Sequence, residues 1–234
     1  MIATDHFVFL HLHKSGGTFV NEGLLRFVPD ARQIGYHLPR KLIPPPLAHL
    51  PVLGLVRNPW SYYVSWFSFQ SGNPRPNVLF RVLSGGGTLD FEGTVRNMLN
   101  LGAGTEADGA RLDTLVAALP AAYTNRGLNI PGPAVAAIRN CGLGFYSFLY
   151  RYMYDGPGIL HMGRMERLRE EFSTLLVAVG QPVSGPLREY LTQAPASNTS
   201  EHAAYTKYYS DVLKDLVAER DADLIARFGY RFGD

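Results

Sequence analysis

Residues 6–18, HFVFLHLHKSGGT, run an apolar stretch straight into a lysine, a serine and a pair of glycines. Beyond Thr18 the apolar spacing turns helical, with Phe19, Val20, Leu24 and Leu25 recurring at helical intervals. A buried strand that breaks at Lys14-Ser15-Gly16-Gly17-Thr18 and resumes as a helix aims free backbone N–H groups, and the positive end of the helix dipole, at an anion. Glycines at such a break let the backbone approach an oxyanion with no Cβ in the way and allow positive φ. Lys14 supplies a mobile point charge, and Ser15 and Thr18 supply hydroxyl donors. The segment reads as a cradle for phosphate or phosphosulfate, with a plain strand-to-helix turn as the competing reading. In the usual nucleoside-triphosphate loop the lysine follows the second glycine; here it precedes the glycine pair, which disfavours an ordinary ATPase loop.

A second junction reinforces the first. Residues 51–69, PVLGLVRNPWSYYVSWFSF, begin as a strand (Val52 to Val56), place Arg57 at its end and turn through Asn58-Pro59 into an aromatic helix. Arg57 is then expected at the carboxyl-end crevice of a parallel sheet, where open α/β sheets bind ligands, with Ser65 about two helical turns further on.

The pair HLHKSGGT and LVRNPWSYYVS resembles the 5′-phosphosulfate and 3′-phosphate signatures of sulfotransferases that use 3′-phosphoadenosine 5′-phosphosulfate (PAPS). The closer likeness is to the branch of carbohydrate (heparan-type) 2-O-sulfotransferases and their bacterial relatives. HMGRMERLREEFSTLLVAVG (161–180) is similar to that branch's cofactor-side strand and helix. The segment 198–232 is similar to its closing loop and terminal helix. Two positions depart from the pattern: His13 stands where proline is common, and Tyr62 replaces a second arginine of the 3′-phosphate motif.

The resemblance implies a P-loop-like nucleotide-binding sulfotransferase fold, with PAPS as co-substrate, PAP as product and no metal. Lys14 takes the place of the residue that contacts the 5′ phosphate and the transferring group, and Arg57 and Ser65 those that hold the 3′ phosphate. The backbone and side chains of Ser15, Gly16, Gly17, Thr18 and Phe19 complete the cradle, Arg164 follows the third apolar strand, and Asn198, Ser200 and His202 lie in the closing loop. A general base must be close to neutral in pKa, which favours histidine. The branch places its catalytic histidine shortly before the 3′-phosphate motif, and His37 of Gly35-Tyr36-His37 matches. His11 and His13, which share strand parity, are the runners-up. The acceptor implied is a hydroxyl, on a saccharide or another small molecule. An ATP-dependent small-molecule kinase and a non-catalytic nucleotide-binding module are the alternatives.

Composition sets the frame. A chain of 234 residues, 46% hydrophobic and 18% charged, suits one α/β domain with a central parallel sheet flanked by helices. Residues 71–135, rich in loop-like strings such as SGNPRPN and SGGGT, read as a variable, acceptor-facing insertion. A net charge of +2 is too balanced for a protein that coats nucleic acid. The single cysteine, Cys141, allows no internal disulfide and reads as semi-buried. No apolar run is long enough to span a bilayer, so neither nucleic acid nor membrane is expected as a partner, and a cytoplasmic location is. Helices are expected over 91–101 and 110–118, a helix or strand over 144–154, a strand near 158–162, a helix over 166–180 and a single terminal helix over 204–227.

Overall fold

Five consecutive residues, Val52 to Val56, are buried, as expected of a strand with both faces covered. The computed structural model describes residues 1–195 and 203–234. Along the chain its strands are β1 (Ile2–Ala3), β2 (Val8–Leu10), β3 (Arg32–Gln33), β4 (Val52–Val56) and β5 (Leu160–Arg164). The helices are α1 (Gly17–Phe27), α2 (Pro59–Ser71), α3 (Val78–Leu83), α4 (Phe91–Leu99), α5 (Glu106–Ala118), α6 (Gly132–Ala136) and α7 (Phe145–Tyr154). They continue with α8 (Leu168–Ala178), α9 (Gly185–Gln193), α10 (Asp211–Arg220) and α11 (Ala222–Phe228). The architecture is α/β, and the chain divides into two compact units, Met1–Arg57 with Tyr150–Thr199, and Asn58–Leu149 with Ser200–Asp234.

The first unit holds the sheet, ordered β3-β1-β2-β4-β5. Strands β2, β4 and β5 are parallel, whereas β1 pairs antiparallel with both β2 and β3, so the sheet is mixed rather than the parallel one expected. The cause is local. The link from β1 to β2 is too short for a crossover, and the Thr4 hydroxyl folds it into a tight turn by accepting the N–H groups of His6 and Phe7. Phe7, Phe9, Leu53 and Leu55 alternate onto one face, which Phe19, Val20 and Leu24 of α1, Phe172 and Leu176 of α8 and Leu187 and Leu191 of α9 cover. Burial of each large apolar side chain there contributes about 1.5–3 kcal/mol.

On the opposite face, Tyr154 lies over Gly54, where an added Cβ would stand 2.4 Å from the ring. The Tyr154 hydroxyl accepts the Leu55 N–H at 3.2 Å and lies 3.3 Å from the Leu10 carbonyl, tying β4 to β2. The proline-rich stretch after His37 forms only two single-turn 3-10 segments, Arg40–Leu42 and Pro45–Leu47.

The second unit is helical and centres on α2, whose residues Pro59 to Trp66 are all buried. Asn58 caps this helix by accepting from the N–H groups of Trp60 and Ser61, and Pro59 occupies its first turn. Tyr62 stacks on Tyr146 at 3.7 Å, and the Tyr63 hydroxyl donates to the buried Asp221 carboxylate at 2.7 Å. The expected single terminal helix is broken. Tyr205–Tyr208 is a 3-10 turn, Ser210 caps α10 anew through the Leu213 N–H, and Asp221 leaves helical geometry between α10 and α11 with its carboxylate engaged by Tyr63 and the Ser147 N–H. The stretch 144–154 is helical, and Cys141 is exposed rather than semi-buried. The expected insertion contributes α3, α4, α5 and α6 to this unit. No helix among the described residues is long and apolar enough to cross a membrane.

Candidate active site

The parallel strands of the first unit bring the predicted cationic residues to one edge. In register, Leu10 of β2 pairs with Gly54, and Val56 of β4 pairs with Arg164 of β5, so the Lys14 loop, Arg57 and Arg164 all leave the same carboxyl edge. Strand β2 ends at Leu10, so His11 and His13 belong to the loop and not to an alternating strand as their parity suggested.

Between β2 and α1, Lys14 sits at φ 57 and Gly16 at φ 78. Left-handed residues on either side of Ser15 give the loop the alternating backbone from which anion-binding nests are made. Lys14 has a Cβ, and its left-handed backbone costs about 1–2 kcal/mol relative to a relaxed one. Gly16 is the N-cap of α1 and has no side chain to cap it. Gly16 also clears space for Leu168, whose Cδ1 would be 2.3 Å from an added Cβ. The Ser15 hydroxyl, buried, lies 3.3 Å from the His13 carbonyl and donates to it.

The Arg57 guanidinium donates to the Lys14 carbonyl at 3.2 Å, which joins the two signature segments within one unit. Burial, and then the nearby Arg57 charge, lower the Lys14 ammonium to a pKa of about 8. Both influences favour an incoming anion, because they are relieved when negative charge fills the loop.

His37 is brought here from its own loop, at φ 49, and is 4% exposed. Its Nδ1–H donates to the His11 carbonyl at 2.6 Å. A carbonyl can only accept, so Nε2 is the nitrogen carrying the lone pair. The ring stacks on His13 at 3.7 Å with 14° between planes, and lies 4.2 Å from His11. Burial, then His13 and His11, hold His37 well below the usual histidine range, so the imidazole is neutral at neutral pH. An anion in the adjoining loop acts in the opposite sense and raises its basicity toward the range a general base needs.

The remaining predicted residues divide. Phe19 turns its ring into the core, stacked on Tyr190 at 4.7 Å, so only its backbone belongs to the first turn of α1; its side chain is a packing residue. Thr18 lies half-buried in that turn. Arg164 is exposed at the end of β5, and its N–H donates to Glu171 at 2.7 Å. Ser65 is buried on α2 in the second unit. Asn198, Ser200 and His202 lie outside the described residues. Among the described residues no group of three or more His, Cys, Asp and Glu side chains is placed to hold a metal ion.

Two residues that the sequence reading missed support the site. Asn21 of α1 donates its amide N–H to His11 Nδ1 at 3.3 Å, and Tyr154 fixes the ends of β2 and β4. Asn21 had a visible signal, a polar residue four positions after Gly17 and so on the same helix face. Tyr154 had none beyond its place in an aromatic run. No protein-family model matches this chain, and no curated protein matches it.

Proposed function

We propose that the protein is a PAPS-dependent sulfotransferase that transfers the sulfuryl group to a hydroxyl, on a saccharide by the branch resemblance. The observation that carries the reading is the meeting of Arg57 with the Lys14 loop at the carboxyl edge of three parallel strands, with His37 stacked on the residue before Lys14. Strand, nest and helix in this order suit a P-loop-like sulfotransferase fold. Sulfuryl transfer needs charge neutralised on the bridging oxygen as its bond to sulfur breaks, an acceptor oxygen in line, and a base for the acceptor proton. The Lys14 ammonium neutralises the leaving oxygen, the loop and the first turn of α1 hold the 5′ phosphate, and Arg57 holds the 3′ phosphate. His37 Nε2 takes the acceptor proton as the new S–O bond forms, and PAP departs. The cytoplasm, where the donor nucleotide is made, is the proposed location.

Calorimetric titration with PAP, beside AMP and ATP with magnesium, tests this. PAP is expected to bind in preference to both. In Arg57→Ala the affinity for PAP should fall strongly, while that for adenosine 5′-phosphosulfate, which lacks the 3′ phosphate, barely changes. Equal losses for both ligands, or ATP preferred to PAP, would sink the reading.

A further inference from the structure

The His11 ring has one nitrogen hydrogen-bonded and the other lying against the first turn of α1. His11 is 5% exposed; the Asn21 amide lies 3.3 Å from ring Nδ1, and the His37 Nδ1–H donates to the His11 backbone carbonyl at 2.6 Å. Its Nε2 has no hydrogen-bond partner among the described residues. With the Asn21 amide nitrogen turned to the ring, Nδ1 is the acceptor and the proton of the neutral ring resides on Nε2; in this orientation the buried Asn21 Oδ1 has no partner among the described residues, and the opposite orientation would place the proton on Nδ1. Nε2 lies against Gly17 in the first turn of α1: a Cβ added to Gly17 would stand 2.5 Å from Nε2 and 1.9 Å from Cδ2. The glycine is therefore required by the His11 ring as well as by any anion.

We infer that His11, held as the Nε2–H tautomer by Asn21, is a further hydrogen-bond donor to the phosphate or phosphosulfate anion held by the Lys14 loop. The inference rests on the proposed anion cradle and adds a ligand to it. Three features agree. An N–H on an otherwise buried ring that no group among the described residues accepts gains a hydrogen bond when an anion occupies the N-terminus of α1. Burial and the neighbouring His13 push the His11 pKa down to about 3, so the ring stays neutral and its tautomer, rather than its charge, decides what it offers. A ring whose Nε2 already carries the proton cannot use that nitrogen as a base, which separates the role of His11 from that of His37.

The test uses the full chain, uniformly 15N-labelled, titrated with PAP at neutral pH and followed by long-range proton–nitrogen correlation of the histidine rings, with His11→Gln used for assignment. The expected spectrum has His11 Nε2 protonated and Nδ1 unprotonated, and the Nε2 proton shifts downfield as PAP binds. His11→Leu should bind PAP about tenfold or more weakly, the loss expected for a hydrogen bond to a charged group, while His11→Gln, which keeps an amide donor, retains most of the affinity. If His11→Leu does not fold, Asn21→Leu releases the tautomer without touching the ring and should weaken PAP severalfold. A proton on Nδ1, or PAP binding that leaves the His11 Nε2 resonance unmoved, overturns this inference and leaves the cradle standing. Wild-type PAP affinity in the folded leucine variants does the same. A folded wild-type chain that does not bind PAP removes the cradle, and this inference with it.

Discussion

The imidazole Nδ1–H of His37 donates to the backbone carbonyl of His11 at 2.6 Å, across a loop that separates them in sequence but not in space. This bond fixes the His37 tautomer with Nε2 as the lone-pair nitrogen, and it anchors a buried ring against the segment that leads into Lys14.

A substitution that keeps the bond and removes the base isolates its chemistry. His37→Asn places an amide N–H close to where Nδ1–H was, so the His11 carbonyl stays satisfied. Acceptor-dependent PAP release should fall about 10²–10⁴-fold, the range for loss of a general base, while PAP affinity stays within about threefold of wild type. Turnover and affinity falling together would show that His37 holds the loop rather than moves the proton.

The proposed anion binding carries a pH limit set by the Lys14 ammonium. With its pKa lowered from 10.5 to about 8, the charge is present below pH 8 and is lost above it. PAP affinity should decline as pH rises through about 8, softened because the bound anion itself raises the lysine pKa. Lys14→Arg, which stays charged throughout, should show a flatter profile over pH 7–9.5. The decline cannot be unfolding through this group: folding lowers the lysine pKa and so releases its proton, and stability from Lys14 rises between about pH 8 and 10.5. Calorimetry across that pH range decides the matter, and parallel profiles for wild type and variant would exclude Lys14 as the charge concerned.

The junction from Val52 to Pro59 was readable because its signals are local. Apolar residues run unbroken to Val56, Asn58 is a strong helix cap, Pro59 suits a first turn, and the strand and helix begin and end on those residues. The two-residue strands β1 and β3 carry no comparable pattern and exist through pairing, with Ile2 opposite Gln33 on one side and Phe9 on the other. The break at Asp221 was hidden for a related reason. Ala204–Arg227 has helical spacing, and what interrupts it is a long-range demand on one carboxylate by Tyr63 and Ser147. The succession of strand, Lys14 loop and helix α1 was legible as a motif, whereas the histidine stack was not, because it depends on His37 taking a left-handed backbone that nothing adjacent in sequence announces.

Tyr154 bears on both stability and site geometry within the first unit. Tyr154→Phe removes the acceptor of the buried Leu55 N–H and the contact with the Leu10 carbonyl, and should cost about 1–3 kcal/mol in urea denaturation. Because Leu10 and Leu55 lie just before the Lys14 loop and Arg57, PAP affinity should fall as well. Gly54→Ala should be worse than Tyr154→Phe, since its methyl group would occupy the space of the ring itself. A Phe variant as stable as wild type would mean that the hydroxyl is dispensable and that only the ring's packing matters.

Asp221 gives the second unit an acid-side signature. It is fully buried, and burial raises its pKa from 3.8 to about 6 against the opposing pull of the bonds from Ser147 and Tyr63. A carboxyl whose folded pKa exceeds its unfolded value takes up a proton on folding. Its contribution to stability is fully present below about pH 4 and is lost as pH rises through about 6. Asp221→Asn is neutral at every pH and can still accept the Ser147 N–H and donate to the Tyr63 oxygen. Thermal unfolding at intervals from pH 4 to 7 should therefore show wild type losing ground to the variant as pH increases, with most of the change between about 4 and 6. Curves that run parallel over that range would place the proton elsewhere and mean that Asp221 is ionised throughout, held by Tyr63 and Ser147 alone.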